Sequence, residues 1–374
     1  MLTMTPGPTY IHEDVRQIMA RDFLNPDIDE KFYDFYFNTT RKISKIFNTV
    51  NEVLILCGEG ILGLEAACAS LIEKGDRVLC IDNGIFGNGF KDFVEMYGGE
   101  AVLFTCDYKN AVDVELLKEF LDKDSSFKFA TLVHCETPSG ITNDVSKICP
   151  LLKKHGILTV VDTVSATGGE EIKVDEYNID IALCASQKCF SAPIGLTFLS
   201  ISDDAWKIIL NRKTPVPSFY CNLAAFHGWY DKKWFPYTMP VNLIYALNEA
   251  TNRLLLEKTY VKRHRTIANA VRFAVLSSGL SLYAESGNSN TLTSVNVPEG
   301  IKFKEIYEEM LNDHNVMIAG SFGIFKDKLI RIGHMGENCR EDRVFSCLYA
   351  LDQVLRKRNV LNENRLHLKF AEKI

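Results

Sequence analysis

Two residues stand out by their position. Asp162 directly follows the apolar run Ile157–Val161, and Lys188 lies just past the run Ile179–Cys184, in Ala185-Ser-Gln-Lys-Cys-Phe. A carboxylate at the end of a buried strand is partly desolvated and needs a cationic or donor partner to stay charged. A lysine in such a place gives up its proton more readily than one in water, as an amine that must form an imine requires. A third feature is Gly58-Glu-Gly-Ile-Leu-Gly63, between the run Val53–Cys57 and a helix-period stretch, Leu64–Leu71. Glycines at a strand-to-helix turn let backbone N–H groups approach an anion, and the helix N-terminus favours its charge.

The glycine turn has more than one reading. It is a literal G-x-G-x-x-G, and Asp82 closes the next apolar run 19 residues beyond Gly63. That spacing fits a dinucleotide site and an NAD-dependent dehydrogenase. It leaves Lys188, Asp162 and Arg331 without a task. A tight turn with no ligand is the blandest reading. Taken with the amine and the acid, the turn completes what pyridoxal 5′-phosphate needs: an amine for its aldehyde, an acid that keeps the pyridine nitrogen protonated, and amides for its phosphate.

These residues must be carried by a frame, and the rest of the chain supplies one. Seven short apolar runs read as strands: Val53–Cys57, Val78–Ile81, Ala101–Phe104, Phe129–Val133, Ile157–Val161, Ile179–Cys184 and Leu196–Ser200. Helix-period stretches such as Leu64–Leu71 and Val114–Leu121 lie between them, which predicts a mostly parallel sheet covered on both faces. Thr214–Pro240 is rich in Pro and aromatic residues and reads as a long irregular crossing. One long helical pattern follows, from Val241 to about Leu276. Strands at Thr291–Val297 and Leu329–Ile332 then alternate with helices at Phe303–Asn312 and Glu341–Leu355, as in a smaller α+β unit.

Composition narrows the function classes. The 374 residues carry 42 Lys and Arg against 48 Asp and Glu, a net charge of −6, so no basic surplus points to nucleic acid or anionic lipid. No apolar run approaches the length of a membrane span, and no basic start followed by an apolar stretch marks a secretory signal. The 11 cysteines never fall into C-x-x-C, which speaks against a zinc ribbon or a thioredoxin-like site. An odd number of thiols in apolar runs is expected of a protein in the reducing cytoplasm.

Several segments, in fixed order, resemble one known family. Pro6-Gly7-Pro8, Gly58–Ala67, His134–Gly140, Val161–Gly169, Ser186–Gly195 and Leu329–Gly336 together are similar to class V aminotransferases of fold type I, most like the alanine–glyoxylate and serine–pyruvate branch. The resemblance implies a large domain with a mostly parallel seven-stranded sheet between helices and a smaller α+β C-terminal domain. Residues 1–15 would be an N-terminal arm, 16–257 the pyridoxal phosphate domain and 258–374 the small domain. It implies that Lys188 forms the imine with the cofactor and that Asp162 pairs with the pyridine nitrogen. Phe86 would stack on the ring, with Val164 on the opposite face, and Thr137 would bond the ring oxygen. Gly60, Ile61 and Gln187 would hold the phosphate, joined by Thr238 of a neighbouring subunit. Arg331 would receive the substrate carboxylate, with Gly7 nearby.

The activity so implied moves an amino group from a small amino acid of the alanine or serine type to glyoxylate or pyruvate, by a ping-pong mechanism in a homodimer. Two departures stand out. Glu59 puts a carboxylate beside the expected phosphate, and Phe235 stands where relatives commonly supply a tyrosine. Aminoethylphosphonate–pyruvate and ureidoglycine–glyoxylate transaminases share the same motifs. A cysteine desulfurase needs a nucleophilic thiol shortly before Arg331, where this chain reads Gly320-Ser-Phe-Gly323. Cys184 and Cys189 only flank the lysine.

Overall fold

The computed structural model describes residues 1–22 and 24–374. Seven strands form one sheet: β1 (Glu52–Cys57), β2 (Arg77–Asp82), β3 (Glu100–Thr105), β4 (Phe129–Val133), β5 (Leu158–Asp162), β6 (Ile181–Ala185) and β7 (Leu196–Ile201). Their order across the sheet is β1-β7-β6-β5-β4-β2-β3. All seven strands expected from the apolar runs are present, each shifted by no more than a residue or two. Only β7 runs against its neighbours: it pairs antiparallel with both β1 and β6, while the other pairs are parallel. β4, β6 and β7 are buried along their whole length, which is why they read as unbroken apolar runs.

Helices cover the sheet. Glu30–Phe47 carries Phe32, Tyr36, Ile43 and Phe47 on its buried face, is capped by the Asp29 carboxylate and ends on Asn48 in the left-handed region. Between Thr214 and Pro240 the expected irregular crossing holds one short helix, Trp229–Lys232, and one 3₁₀ turn, Leu223–Phe226. It is nevertheless part of the core, since Phe226, Trp229 and Phe235 are buried. The single helix expected over Val241 to Leu276 is in fact two, Val241–Leu256 and Tyr260–Ser277. The break contains neither Gly nor Pro. It sits at Glu257, whose carboxylate is drawn to Arg263 at 2.5 Å and Arg340 at 3.2 Å, and no periodicity could show that.

A second hydrophobic cluster gathers Ile267, Ala274, Met310, Ile330, Val344 and Leu351. It is built on the antiparallel pair Thr293–Asn296 with Leu329–Ile332 and on the helices Tyr260–Ser277, Phe303–His314 and Glu341–Arg356. Met4 belongs to it as well. The two-residue strand Leu2–Thr3 pairs in parallel with Val316–Met317, so the first residues of the chain are fastened to this cluster. Among the described residues no helix is long and apolar enough to cross a membrane.

Candidate active site

The carboxyl ends of the parallel strands converge, as ligand sites do in such sheets. Asp162 ends β5, Gly58–Gly60 follow β1, and Lys188 follows β6 on a turn closed by the Ser186 hydroxyl, which donates to the Pro193 carbonyl at 2.6 Å. Lys188, Asp162, Gly60, Ile61 and Gln187 line one cavity of about 180 Å³. Phe86, Thr137, Val164 and Gly7 complete its wall. Nine expected site residues, far apart in sequence, are thus brought together.

The polar groups of this cavity are short of partners. Lys188 is largely enclosed, and burial, reinforced by the nearby Arg331 charge, pushes its amine below the usual lysine range, against the pull of Asp162. Its Nζ donates to the Pro6 carbonyl at 2.7 Å. Asp162 is 6% exposed, and its carboxylate accepts only the Val164 amide, at 2.8 Å, among the described residues. Burial raises it to about 6, the amide and Lys188 pull it down, and Glu59 pushes it further up. A cationic N–H facing Asp162 would relieve that cost.

Arg331 lies in an adjoining cavity of about 440 Å³ that shares Gly7, Phe86, Thr137 and Lys188 with the first. It is held by two backbone carbonyls: Nε donates to Gly320 at 2.6 Å and a terminal nitrogen to Thr137 at 3.0 Å. The guanidinium faces no carboxylate of the described residues, and burial alone lowers it to about 10. The rest of the wall includes the apolar Met317, Ala319 and Phe322. No thiol lines either cavity, so the stretch Gly320–Gly323 offers nothing a desulfurase would need. Cys184 and Cys189 are buried, and burial pushes both thiols up.

The dehydrogenase reading fails on geometry. The Asp82 carboxylate is buried, only 3% exposed, and already accepts from the Tyr108, Thr105 and Asn88 side chains, so it is not presented to a ribose. Gly63 serves packing, because a Cβ there would stand 2.7 Å from the Thr197 hydroxyl on β7.

Some functional groups had no signal in the sequence pattern. The Pro6 carbonyl reaches Lys188 only because the arm folds over it. Gly7, at φ +100°, leaves no room for a side chain, since a Cβ would run into Lys188 Cδ. Glu136, fully buried just past β4, accepts from the Phe86 and Gly87 amides at 3.2 and 2.6 Å, and so caps the helix Ile85–Met96 that carries Phe86. Burial pushes that carboxyl up to about 8 against those two bonds. Thr238 lines neither cavity of its own chain, and its hydroxyl donates to Asp27 at 2.9 Å.

A lysine just past β6, an aspartate at the end of β5 and an enclosed arginine on the separate strand Leu329–Ile332 together suit transamination, and comparison with known proteins agrees. The chain belongs to the aminotransferase class-V family, matching it over residues 25–323. An uncharacterised aminotransferase of Methanocaldococcus jannaschii is 36% identical, with 95% of this chain and 93% of that protein covered. The pyridoxamine–pyruvate transaminase of Mesorhizobium japonicum is 32% identical over 94% and 90%. The crystal structure of the ureidoglycine–glyoxylate aminotransferase of Bacillus subtilis superposes with a TM-score of 0.95 at 29% identity, covering 99% of this chain and 97% of that one. The protein is an enzyme, a pyridoxal 5′-phosphate-dependent transaminase.

The residues present fit the ring of that cofactor. Lys188 is a desolvated amine, Asp162 is a buried acceptor without a cation above it, and the Phe86 and Val164 side chains flank the cavity. When bound, the cofactor supplies an aldehyde that carries the amino group and a ring that takes up electrons from the substrate carbon. The phosphate end fits less well, because Glu59 occupies the helix cap there.

Proposed function

We propose that this enzyme transfers the amino group of a small amino acid, of the alanine or serine type, to a small 2-oxo acid, glyoxylate or pyruvate, by a ping-pong cycle. The observation that carries this reading is Arg331: a buried guanidinium with no carboxylate opposite it, beside the Lys188 amine, in a wall shared by the apolar Met317, Ala319 and Phe322 and the hydroxyls of Thr3, Thr5 and Thr137. Guanidinium geometry suits bidentate pairing with an α-carboxylate. The apolar side chains around it leave a small side chain in place, and apart from Lys188, which is committed to the chemistry, the wall offers no second cation for a phosphonate. Relatives named for pyruvate and glyoxylate support the choice of acceptor.

In the proposed cycle Arg331 holds the carboxylate and fixes the substrate carbon near Lys188. The freed Lys188 amine, which burial makes easier to deprotonate than a surface lysine, moves the proton between the substrate Cα and the cofactor C4′. Asp162 keeps the pyridine nitrogen protonated, and the arm residues Pro6–Pro8 help to keep water out. We also propose that Phe86, Thr137, Val164, Gly60, Ile61 and Gln187 hold the cofactor, that Thr238 reaches it from the second subunit of a homodimer, and that the two hydrophobic clusters are domains meeting near residue 258. All 11 cysteines are free, which supports placement in the cytoplasm.

The holoenzyme mixed with single amino donors tests the substrate reading. Alanine or serine should bleach its visible band, and 2-aminoethylphosphonate should not. Bleaching by the phosphonate with none by alanine or serine would transfer the protein to the other branch, and full activity of a monomer at assay dilution would remove Thr238 from the site.

A further inference from the structure

One end of the cavity is built against a phosphate. The helix Gly60–Leu71 turns its N-terminus to the cavity, where amides would ordinarily receive an anion. Its cap is the half-buried Glu59, whose carboxylate accepts from the Ile61 amide at 3.2 Å. The amide that a phosphate would take is therefore held by the chain's own anion. That hydrogen bond is the only one the Glu59 side chain makes among the described residues.

Two other positions agree. Gln187 is 5% exposed in the same cavity, and its Oε1 receives no donor. Phe235 lacks the phenol that the family resemblance places there, and its ring is packed between Tyr33 and Trp229, with centroids 5.0 and 5.3 Å away. A phosphate ester near neutral pH carries between one and two negative charges and brings acceptors. A hydroxymethyl arm is neutral and brings a donor. Glu59 and Gln187 Oε1 are acceptors, and they suit the second.

We infer that this cavity selects the dephosphorylated ring, and that pyridoxamine is an amino donor substrate of the enzyme. The inference rests on the transaminase reading above and extends it from the amino acid to the other partner in the exchange. The reaction balances without an outside oxidant. The C–N bond at C4′ of pyridoxamine breaks and one forms at the 2-carbon of the oxo acid. C4′ is oxidised to the aldehyde, the 2-carbon is reduced by the same electron pair, and the carbonyl oxygen passes to C4′ by way of water. Lys188 carries the proton between the two carbons, Arg331 holds the carboxylate of the oxo acid, and the Glu59 carboxylate accepts from the hydroxyl of the arm.

The test uses the full chain, dialysed free of vitamers and titrated calorimetrically with pyridoxal and with pyridoxal 5′-phosphate. The same protein is then incubated with pyridoxamine and pyruvate, with no phosphate ester present, and the products are separated by chromatography. Pyridoxal should bind at least as tightly as its phosphate, and pyridoxal and alanine should appear in equal amounts. Glu59→Ser keeps a good helix cap, so the fold should survive. It should tighten the phosphate ester and weaken pyridoxal, each by about tenfold, as the loss or gain of one charged hydrogen bond does. Phe235→Tyr should tighten the phosphate ester alone. Tighter binding of the phosphate by the wild type, a ratio unmoved by Glu59→Ser, or no pyridoxal formed would each overturn the inference. In that event, alanine or serine still transaminated by the phosphate-loaded enzyme would leave the amino acid reading standing. Pyridoxamine consumed while both amino acids stay inert would sink that reading and keep this one.

Discussion

Where the helices Val241–Leu256 and Tyr260–Ser277 meet, carboxylates and guanidinium groups answer one another. Glu257 accepts from Arg263 through both oxygens, at 2.5 and 3.1 Å, and lies 3.2 Å from Arg340. Glu337 is bonded by Arg340 at 3.1 and 3.2 Å and lies 3.6 Å from Arg253. In the cavity the same residue types are kept apart. Asp162 has one backbone amide, Glu59 has another, and Arg331 has two carbonyls and no carboxylate. The consequence shows in opposite shifts. Against the cost of burial, Arg340, Arg253 and Arg263 hold Glu337 below the usual glutamate range, while burial leaves Asp162 raised to about 6. A paired cluster serves the fold, whereas buried charges without partners are costly to the empty protein and wait for a ligand to complete them.

That contrast can be broken at four places, the greatest effect first. Lys188→Ala should lower kcat by about a thousandfold or more and abolish the lysine-dependent visible band, while thermal stability holds or rises because a desolvated amine is gone. Rate assays and a melting curve on one sample would check both. Arg331→Gln should raise KM for the amino donor by about a hundredfold, the worth of a charged hydrogen-bonded pair, with a smaller change in kcat. An unchanged KM would put the carboxylate elsewhere.

The third and fourth changes have opposite pH signatures. Asp162 is raised in the folded chain above its ordinary value of 3.8, so the folded state holds its proton more firmly than the unfolded one, and ionisation costs stability as pH rises through about 6. Cofactor-free Asp162→Asn should therefore be more stable than wild type at pH 8 by about 1–3 kcal/mol, with the gap closing as pH falls toward 4. Glu337 is lowered from 4.5, so its contribution is present above that value and is lost as pH falls. Glu337→Gln should be less stable than wild type at pH 7 by about 1–2 kcal/mol, and the gap should close in acid. Denaturant midpoints from pH 8 down to well below the ordinary glutamate value of 4.5 would show both, and gaps of the same sign would dissolve the distinction.

The strands were legible because a strand buried on both faces is an apolar run whatever its neighbours are. Direction was not: nothing in Leu196–Ile201 marks it as the strand that runs backwards. The helix Glu30–Phe47 was not read as an element, although its buried aromatic and aliphatic residues recur at helical spacing. Lys188 and Asp162 could be picked out as candidates because each lies at the end of an apolar run. Arg331 could not be placed beside them by pattern, since its strand neighbours Ile330 and Ile332 belong to the second cluster, and only the family resemblance suggested it. Glu136 and the Pro6 carbonyl stayed hidden for a different reason. Their work is done on groups of other segments, an amide pair 49 and 50 residues away and an amine 182 residues away.

The attachment of the arm has a bearing on how the chain is made. Leu2 finds its strand partner at Val316, Met4 receives the Gly333 amide, and Thr9 is anchored to the backbone at Gln187 and Lys188. During synthesis from the N-terminal side, this segment emerges long before anything it can pair with. The large sheet can assemble around β1–β7 while the arm is still loose, and closing such long loops is slow. A nascent chain that ends before residue 316 would therefore have a formed sheet and a lysine in place, but an open roof over it. Competence for chemistry arrives with the last quarter of the chain.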